Sequence, residues 1–101
     1  MVDRLEQSKA LSSKARVAIL DWLREPYDHF AHQETGDPRD IGVCVTLITE
    51  KLNMAQPTVS RHLELLRRAD FVTVNKIGRW SFFKRNEAGI AAYKEWLNEH
   101  L

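Results

Sequence analysis

Two helical patterns lie back to back between Thr46 and Ala69, and the second opens on a proline, which leaves few folds available. Thr46 is placed to cap a first helix carrying Leu47, Ile48 and Leu52 that ends near Asn53. Pro57 belongs at the first position of a second helix, Pro57 to Ala69, because a helix start leaves that amide hydrogen unpaired anyway; Gln56 is then the expected cap. Val59, Leu63 and Leu66 recur at i, i+4 and i+7, with Leu65 and Ala69 flanking, so this helix has one apolar stripe facing a core. Its other side is polar. Thr58 and Arg61, three apart, and Gln56 and Ser60, four apart, project together from the first turns.

The flanking segments complete a plan. Phe71 to Ile77 and Trp80 to Lys84 are aromatic and β-branched runs joined by Gly78-Arg79, the pattern of a β-hairpin. Upstream, Ser12 or Ser13 can cap a helix in which Val17, Leu20 and Leu23, with Ile19 and Trp22, form a wide buried face before Pro26 ends it. Val2 to Ala10 reads as a short helix whose Val2 and Leu5 pack elsewhere. Pro26 to Gly42 is dense in turn formers and reads as a long connection with little regular structure, of the kind that tends to be functional or mobile. Val43-Cys44-Val45 fits a short strand, and Asn86 caps a last helix with Ile90, Tyr93, Trp96, Leu97 and Leu101 on one stripe. The expected fold is mainly α with a small β-hairpin wing, a winged helix-turn-helix. At 101 residues it forms one domain, 1–101, since two cores would each be too small.

Charge says more by position than by sum. The net charge is only +1, yet residues 51–85 carry eight bases against two acids. Positive charge concentrated in a third of the chain suits a phosphate-bearing partner. No apolar run approaches the roughly 20 residues of a membrane span, and no export signal opens the chain. Cys44 is the single cysteine, so no intrachain disulfide is possible; a cytoplasmic protein is expected.

A helix that reads duplex DNA needs a slim polar N-terminal face and a firm apolar back, and Pro57 to Ala69 has both. Gln56 can bond two groups on an adenine edge and Arg61 can do so on guanine, while Thr58 and Ser60 suit bases or phosphates. The same hydroxyls also favour helix starts for local reasons. His62, beside the apolar stripe, can reach a phosphate or pack on a neighbouring helix. Arg79 at the hairpin tip, with Lys76 and Lys84 on the strands, is expected to straddle the DNA backbone or enter the minor groove. Arg67 and Arg68 are expected to be solvated or paired with Glu64.

Ala10 to Leu20, Gln56-Pro-Thr-Val-Ser-Arg-His-Leu63, Leu65 to Val72 and Ile77-Gly-Arg79 resemble the ArsR family of small bacterial repressors. The likeness covers most of the chain except Pro26 to Gly42. It implies a winged helix dimerised through its first and last helices and released from its operator by metals, oxidants or other signals. It also implies that Gln56, Ser60 and Arg61 touch bases. Leu5, Tyr93, Trp96 and Leu97 are the expected dimer contacts, because the last helix carries more aromatic surface than so small a monomer readily buries. Two copies would set two such helices about 34 Å apart on an inverted-repeat operator.

The inducing chemistry departs from the family pattern. Arsenic-sensing members have Cys-Val-Cys-Asp where this chain has Cys44-Val45-Thr46-Leu47, and one thiolate is insufficient for a soft metal. The last helix lacks the paired Asp/His pattern of zinc-sensing members, with His100 isolated. Asp70 stands where a left-handed Gly is usual after the second helix. His29 and His32, with Asp28, Glu34 and Asp37 nearby, have ligand character but no fixed third partner; Phe30 between them reads as an anchor for the loop. Cys44 between two valines reads as a small buried residue more readily than as an oxidation sensor. No metal or other cofactor is expected. No catalytic triad, phosphate loop or carboxylate pair is present, so no enzyme is expected. The competing function is a winged helix that docks an acidic protein.

Overall fold

The computed structural model describes residues 2–101. Helix α1 (Arg4–Ala10) starts on Asp3, whose carboxylate accepts from the Leu5 amide at 2.8 Å and the Glu6 amide at 3.4 Å. Helix α2 (Lys14–Arg24) starts on Ser13, not Ser12: the Ser13 hydroxyl accepts from the Arg16 amide at 3.3 Å. Ala15, Ile19, Leu20 and Leu23 form its buried face. Val17 was expected there but is exposed, because about 100° of turn per residue sets it to the side of the face shared by residues 15, 19, 20 and 23.

The segment Pro26 to Gly42 departs most from expectation. It holds two short helices, α3 (Pro26–Phe30) and α4 (Pro38–Ile41), each opening on a proline at a position where no amide hydrogen is needed. Phe30 is buried and meets Trp22 edge-on at 6.4 Å, so it does anchor the segment. One amide side chain closes the rest. Gln33 Nε2 donates to the carbonyls of Gly36 and Gly42, both at 3.0 Å, and its Oε1 accepts from the Cys44 amide at 2.9 Å.

Strand β1 is only Val43–Cys44, and Val45 begins helix α5 (Val45–Leu52). The cap position of α5 falls on Cys44; Thr46 lies inside the first turn and caps nothing. Helix α6 runs Gln56–Arg68 with Ala55 at its cap, so Gln56 is its first residue rather than the cap and Pro57 its second. Proline is tolerated equally there, since first-turn amides lack partners within the helix.

Strands β2 (Val72–Ile77) and β3 (Trp80–Arg85) form the hairpin, and β1 adds to its other side in the order β1-β3-β2, all antiparallel. Gly78, at φ +60°, takes the first central position of the two-residue turn, where a β-carbon is disfavoured. Helix α7 (Glu87–His100) follows, its start fixed by Asn86 Oδ1 accepting from the Gly89 amide at 3.1 Å.

Ile19, Leu23, Phe30, Ile48, Val59, Leu63, Leu66, Phe71 and Ile90 meet in one core, to which α2, α5, α6 and α7 contribute through their apolar faces and α3 through Phe30. The end of α6 is specified in detail. Asp70 is left-handed at φ +65°, the Asp70 amide donates to Arg67 O and the Phe71 amide to Leu66 O, both at 3.0 Å. Asp70 does more than stand in for glycine, because its Oδ1 accepts from Asn86 Nδ2 at 2.9 Å and ties the end of α6 to the start of α7. At the same corner a β-carbon on Gly89 would overlap the Asp70 carbonyl, so α7 approaches only because residue 89 has none.

Candidate nucleic-acid interface

Val59, Leu63 and Leu66 are at most 1% exposed, and burying side chains of this kind stabilises a fold by about 1.5–3 kcal/mol each. That back fixes α6 against the core. Its first turns point away: Gln56, Thr58, Ser60 and Arg61 are all exposed. Among the described residues, none of their side chains has a hydrogen-bond or ion-pair partner within 3.5 Å or 4.0 Å respectively. No side chain caps the helix either, so its first amides and the positive end of its dipole stay open to an anion.

The wing stands beside this face. A groove of about 540 Å³ runs between α6 and the hairpin, with Gln56, Ser60 and Arg67 on one wall and Lys76, Arg79 and Trp80 on the other. Lys76 and Arg79 are exposed. Glu64 is the one acid on the groove, and Arg67 covers it, Nε donating to Oε2 at 3.1 Å. That hydrogen bond holds the Glu64 carboxyl below its usual range. Lys84 does not share this site. It pairs with Thr73 across the ladder, on the opposite face from Lys76 and Ser81, and its amine donates to Asp40 O at 3.3 Å.

The basic stretch therefore divides. Arg67 pairs with Glu64, Arg68 with Glu6 at 2.9 Å, and Arg85 donates to Glu87 at 2.8 Å and to Leu20 O at 3.1 Å. Lys51 lies over the Trp22 ring at 5.2 Å. Arg61, Lys76 and Arg79 have no such partner among the described residues.

His62 lies on the flank of α6, half-buried, with Nδ1 3.0 Å from a guanidinium nitrogen of Arg16. Burial, and after it the nearby Arg16 charge, pushes its pKa below the ordinary value. Sequence reading missed Arg16 entirely. The two residues stand 46 positions apart, and no local pattern joins them.

The expected dimer residues part company. Tyr93 is buried within the chain, its ring 5.4 Å from Phe71 and its hydroxyl 2.8 Å from Ser8 Oγ, so its surface is not left for a partner. α1 supplies the cover that a second copy was expected to give. Leu5 is 68% exposed; Leu97 is half-buried on a groove edged by Leu11, Leu20 and Ile90, and Trp96 is half-buried between the Tyr93 and His100 rings, at 6.1 and 5.0 Å.

In the segment 26–42, His29 lies in an aromatic cluster with Trp22 and Phe30, at 6.5 and 6.4 Å, while His32 is exposed on the turn beyond α3. Among the described residues, the two imidazoles are not brought to one point with a third ligand. Cys44, the second residue of β1, is buried, as a small apolar residue would be.

A family model described as "Bacterial regulatory protein, arsR family" matches residues 43–74, which span β1, both helices of the helix-turn-helix and the start of the wing. Over 100 residues the chain is 41% identical to the HTH-type transcriptional regulator YbzH of Bacillus subtilis, covering 99% of this chain and all of that one. The chain belongs to the ArsR family. As an ArsR-family protein it is a transcriptional regulator, and its relatives are regulators rather than enzymes. Solved structures agree on the winged-helix fold. An ArsR-family transcriptional regulator, RHA00566, superposes with TM-score 0.71 at 21% identity over 99% of this chain and 92% of that one. The transcriptional regulator HlyU from Vibrio vulnificus gives 0.59 at 26% identity over 96% and 86%. None of the helices is long and apolar enough to cross a membrane among the described residues.

Proposed function

We propose that this ArsR-family regulator is a homodimeric repressor that sets the N-terminal turns of α6 into the major groove of an inverted-repeat operator. Gln56, Thr58, Ser60 and Arg61 face the bases, Arg61 most specifically because its fork matches the guanine edge. Lys76 and Arg79 hold the flanking backbone from the wing, and His62 meets a phosphate on the helix flank. The second copy covers Leu5, Trp96 and Leu97. Binding of this kind occludes a promoter.

The observation that carries this reading is the contrast within one helix: a buried apolar back, and a polar front whose side chains have no partner among the described residues. A groove with Lys76 and Arg79, unpaired among the described residues, on its far wall extends that front to the wing.

The deciding measurement is affinity for duplex DNA against salt, using fragments recovered by genome-wide mapping of bound sites. Affinity should fall steeply with salt, and Arg79→Ala should lower the logarithmic slope by about one per lost phosphate contact, on operator and random duplex alike. Weak binding to every duplex, insensitive to salt, would instead favour a winged helix that docks an acidic protein. Sedimentation of the free protein should give a dimer, and Leu5→Glu should shift it toward monomer.

A further inference from the structure

We propose that Arg16, on α2, is a positioning residue for DNA binding: it holds the His62 ring in the tautomer that offers its Nε2–H to a DNA phosphate. The inference rests on the DNA-binding reading above. A guanidinium has five N–H donors and no acceptor. With a terminal nitrogen of Arg16 3.0 Å from Nδ1, that ring nitrogen must accept, and the neutral imidazole then carries its hydrogen on Nε2.

Arg16 is itself held. Its Nε donates to Ala10 O at 2.7 Å, at the end of α1, and its other terminal nitrogen to Lys9 O at 3.4 Å, a carbonyl that also accepts from the Ser12 amide at 3.0 Å. One side chain thus finishes α1 and orients a ring on α6. The ring's outer nitrogen has no protein acceptor among the described residues, and the ring is half-exposed. Thr58 lies four residues earlier on the same flank and is also exposed. The flank of a helix seated in the major groove faces the groove wall, which is phosphate, so the acceptor is a phosphate oxygen rather than a base. Burial and the Arg16 charge both keep the ring neutral near pH 7, so it acts as a directed donor.

Two amide substitutions separate the two nitrogens. His62→Asn places an oxygen near Nδ1, retaining the acceptor for Arg16 but no donor at Nε2; His62→Gln reaches the Nε2 position with an N–H. On a mixed-sequence duplex, H62N should bind about five- to tenfold more weakly than the parent, and H62Q should recover most of that loss. Ring nitrogen NMR of the free protein should show His62 Nδ1 unprotonated. In Arg16→Met the ring should populate both tautomers, and its affinity loss should not add to that of H62N. If R16M does not fold, the Asn and Gln pair still carries the test. A protonated Nδ1 in the parent, or H62Q as weak as H62N, overturns the inference while leaving DNA binding intact. Failure of the parent to bind duplex in a salt-dependent way overturns the proposed function itself and the phosphate role with it.

Discussion

At its first two turns α6 leaves Gln56, Thr58, Ser60 and Arg61 exposed and, among the described residues, unpartnered, whereas at its last two turns Arg67 and Arg68 are tied to Glu64 and Glu6. Both ends are polar and both carry arginine. Counting bases along the chain does not separate them; what each base already touches does. Exposed ion pairs of this sort contribute only about 0–1 kcal/mol, so Arg67 is not locked away by strength. Engaging a phosphate there would nevertheless bring the Glu64 carboxylate against another anion. The N-terminal end has no acid among the first eight residues of the helix, Gln56 to Leu63, and its capless amides add to the attraction.

The comparison depends on a rigid back shared by both ends, and removing that back should have the largest effect. Leu66→Ala deletes a fully buried side chain behind the last turn of α6 and should cost about 2–5 kcal/mol of stability, read as a lowered melting temperature. DNA binding should fall on every sequence as the folded fraction falls. A mutant of unchanged stability would mean that α6 is not held by this stripe.

Next in size, the two ends should answer differently to the same substitution. Arg61→Ala should lose roughly 1–3 kcal/mol of discrimination between operator and random duplex per half-site. Arg67→Ala should change discrimination by much less, because its guanidinium is engaged with Glu64 and lies toward the other end. Competition binding on both duplexes measures the two directly. Equal losses for R61A on operator and random DNA would reduce Arg61 to a phosphate contact, and equal discrimination losses for both variants would erase the distinction between the ends.

Much of this is legible in the sequence because it rests on short-range pattern. The stripe Val59, Leu63, Leu66 needs only helical periodicity, and the wing needs only two β-rich runs around Gly78. Helices α3 and α4, of five and four residues, are too short to show a period, and their turn-forming residues read as loop; tertiary packing of Phe30 and Pro38 makes them. Tyr93 carried the right stripe but the wrong partner, since its cover is Phe71 and Ser8 of the same chain rather than a second copy. The short cap signals slipped by one or two residues at α5 and α6, where backbone positions on Cys44 and Ala55 serve with no side-chain cap. Arg16 was invisible for a different reason: nothing in a run of residues tells which of fifteen lysines and arginines will reach across to His62.

The smallest expected effect is one of pH, and it sharpens the same contrast. His62 faces Arg16 from α2, and burial together with that charge lowers its pKa below the ordinary 6.5. Its unfolded-state ring takes up a proton near pH 6.5 while the folded ring still resists, so the unfolded state binds more protons there. Stability should therefore be full above pH 6.5, fall as pH drops below that value, and level off once the folded ring is protonated too. Denaturant titrations of the parent and of His62→Gln isolate the contribution, because His29, His32 and His100 are common to both. At the other end of α6 the titrating group is Glu64, held ionised to lower pH by the Arg67 hydrogen bond, so its stabilisation is lost only in the acid range as pH falls through its folded pKa. Near neutrality the pH sensitivity of α6 should thus come from the flank of the DNA-facing half alone. A parent and H62Q with the same slope between neutrality and mild acid would show that the ring is not held against Arg16 in solution.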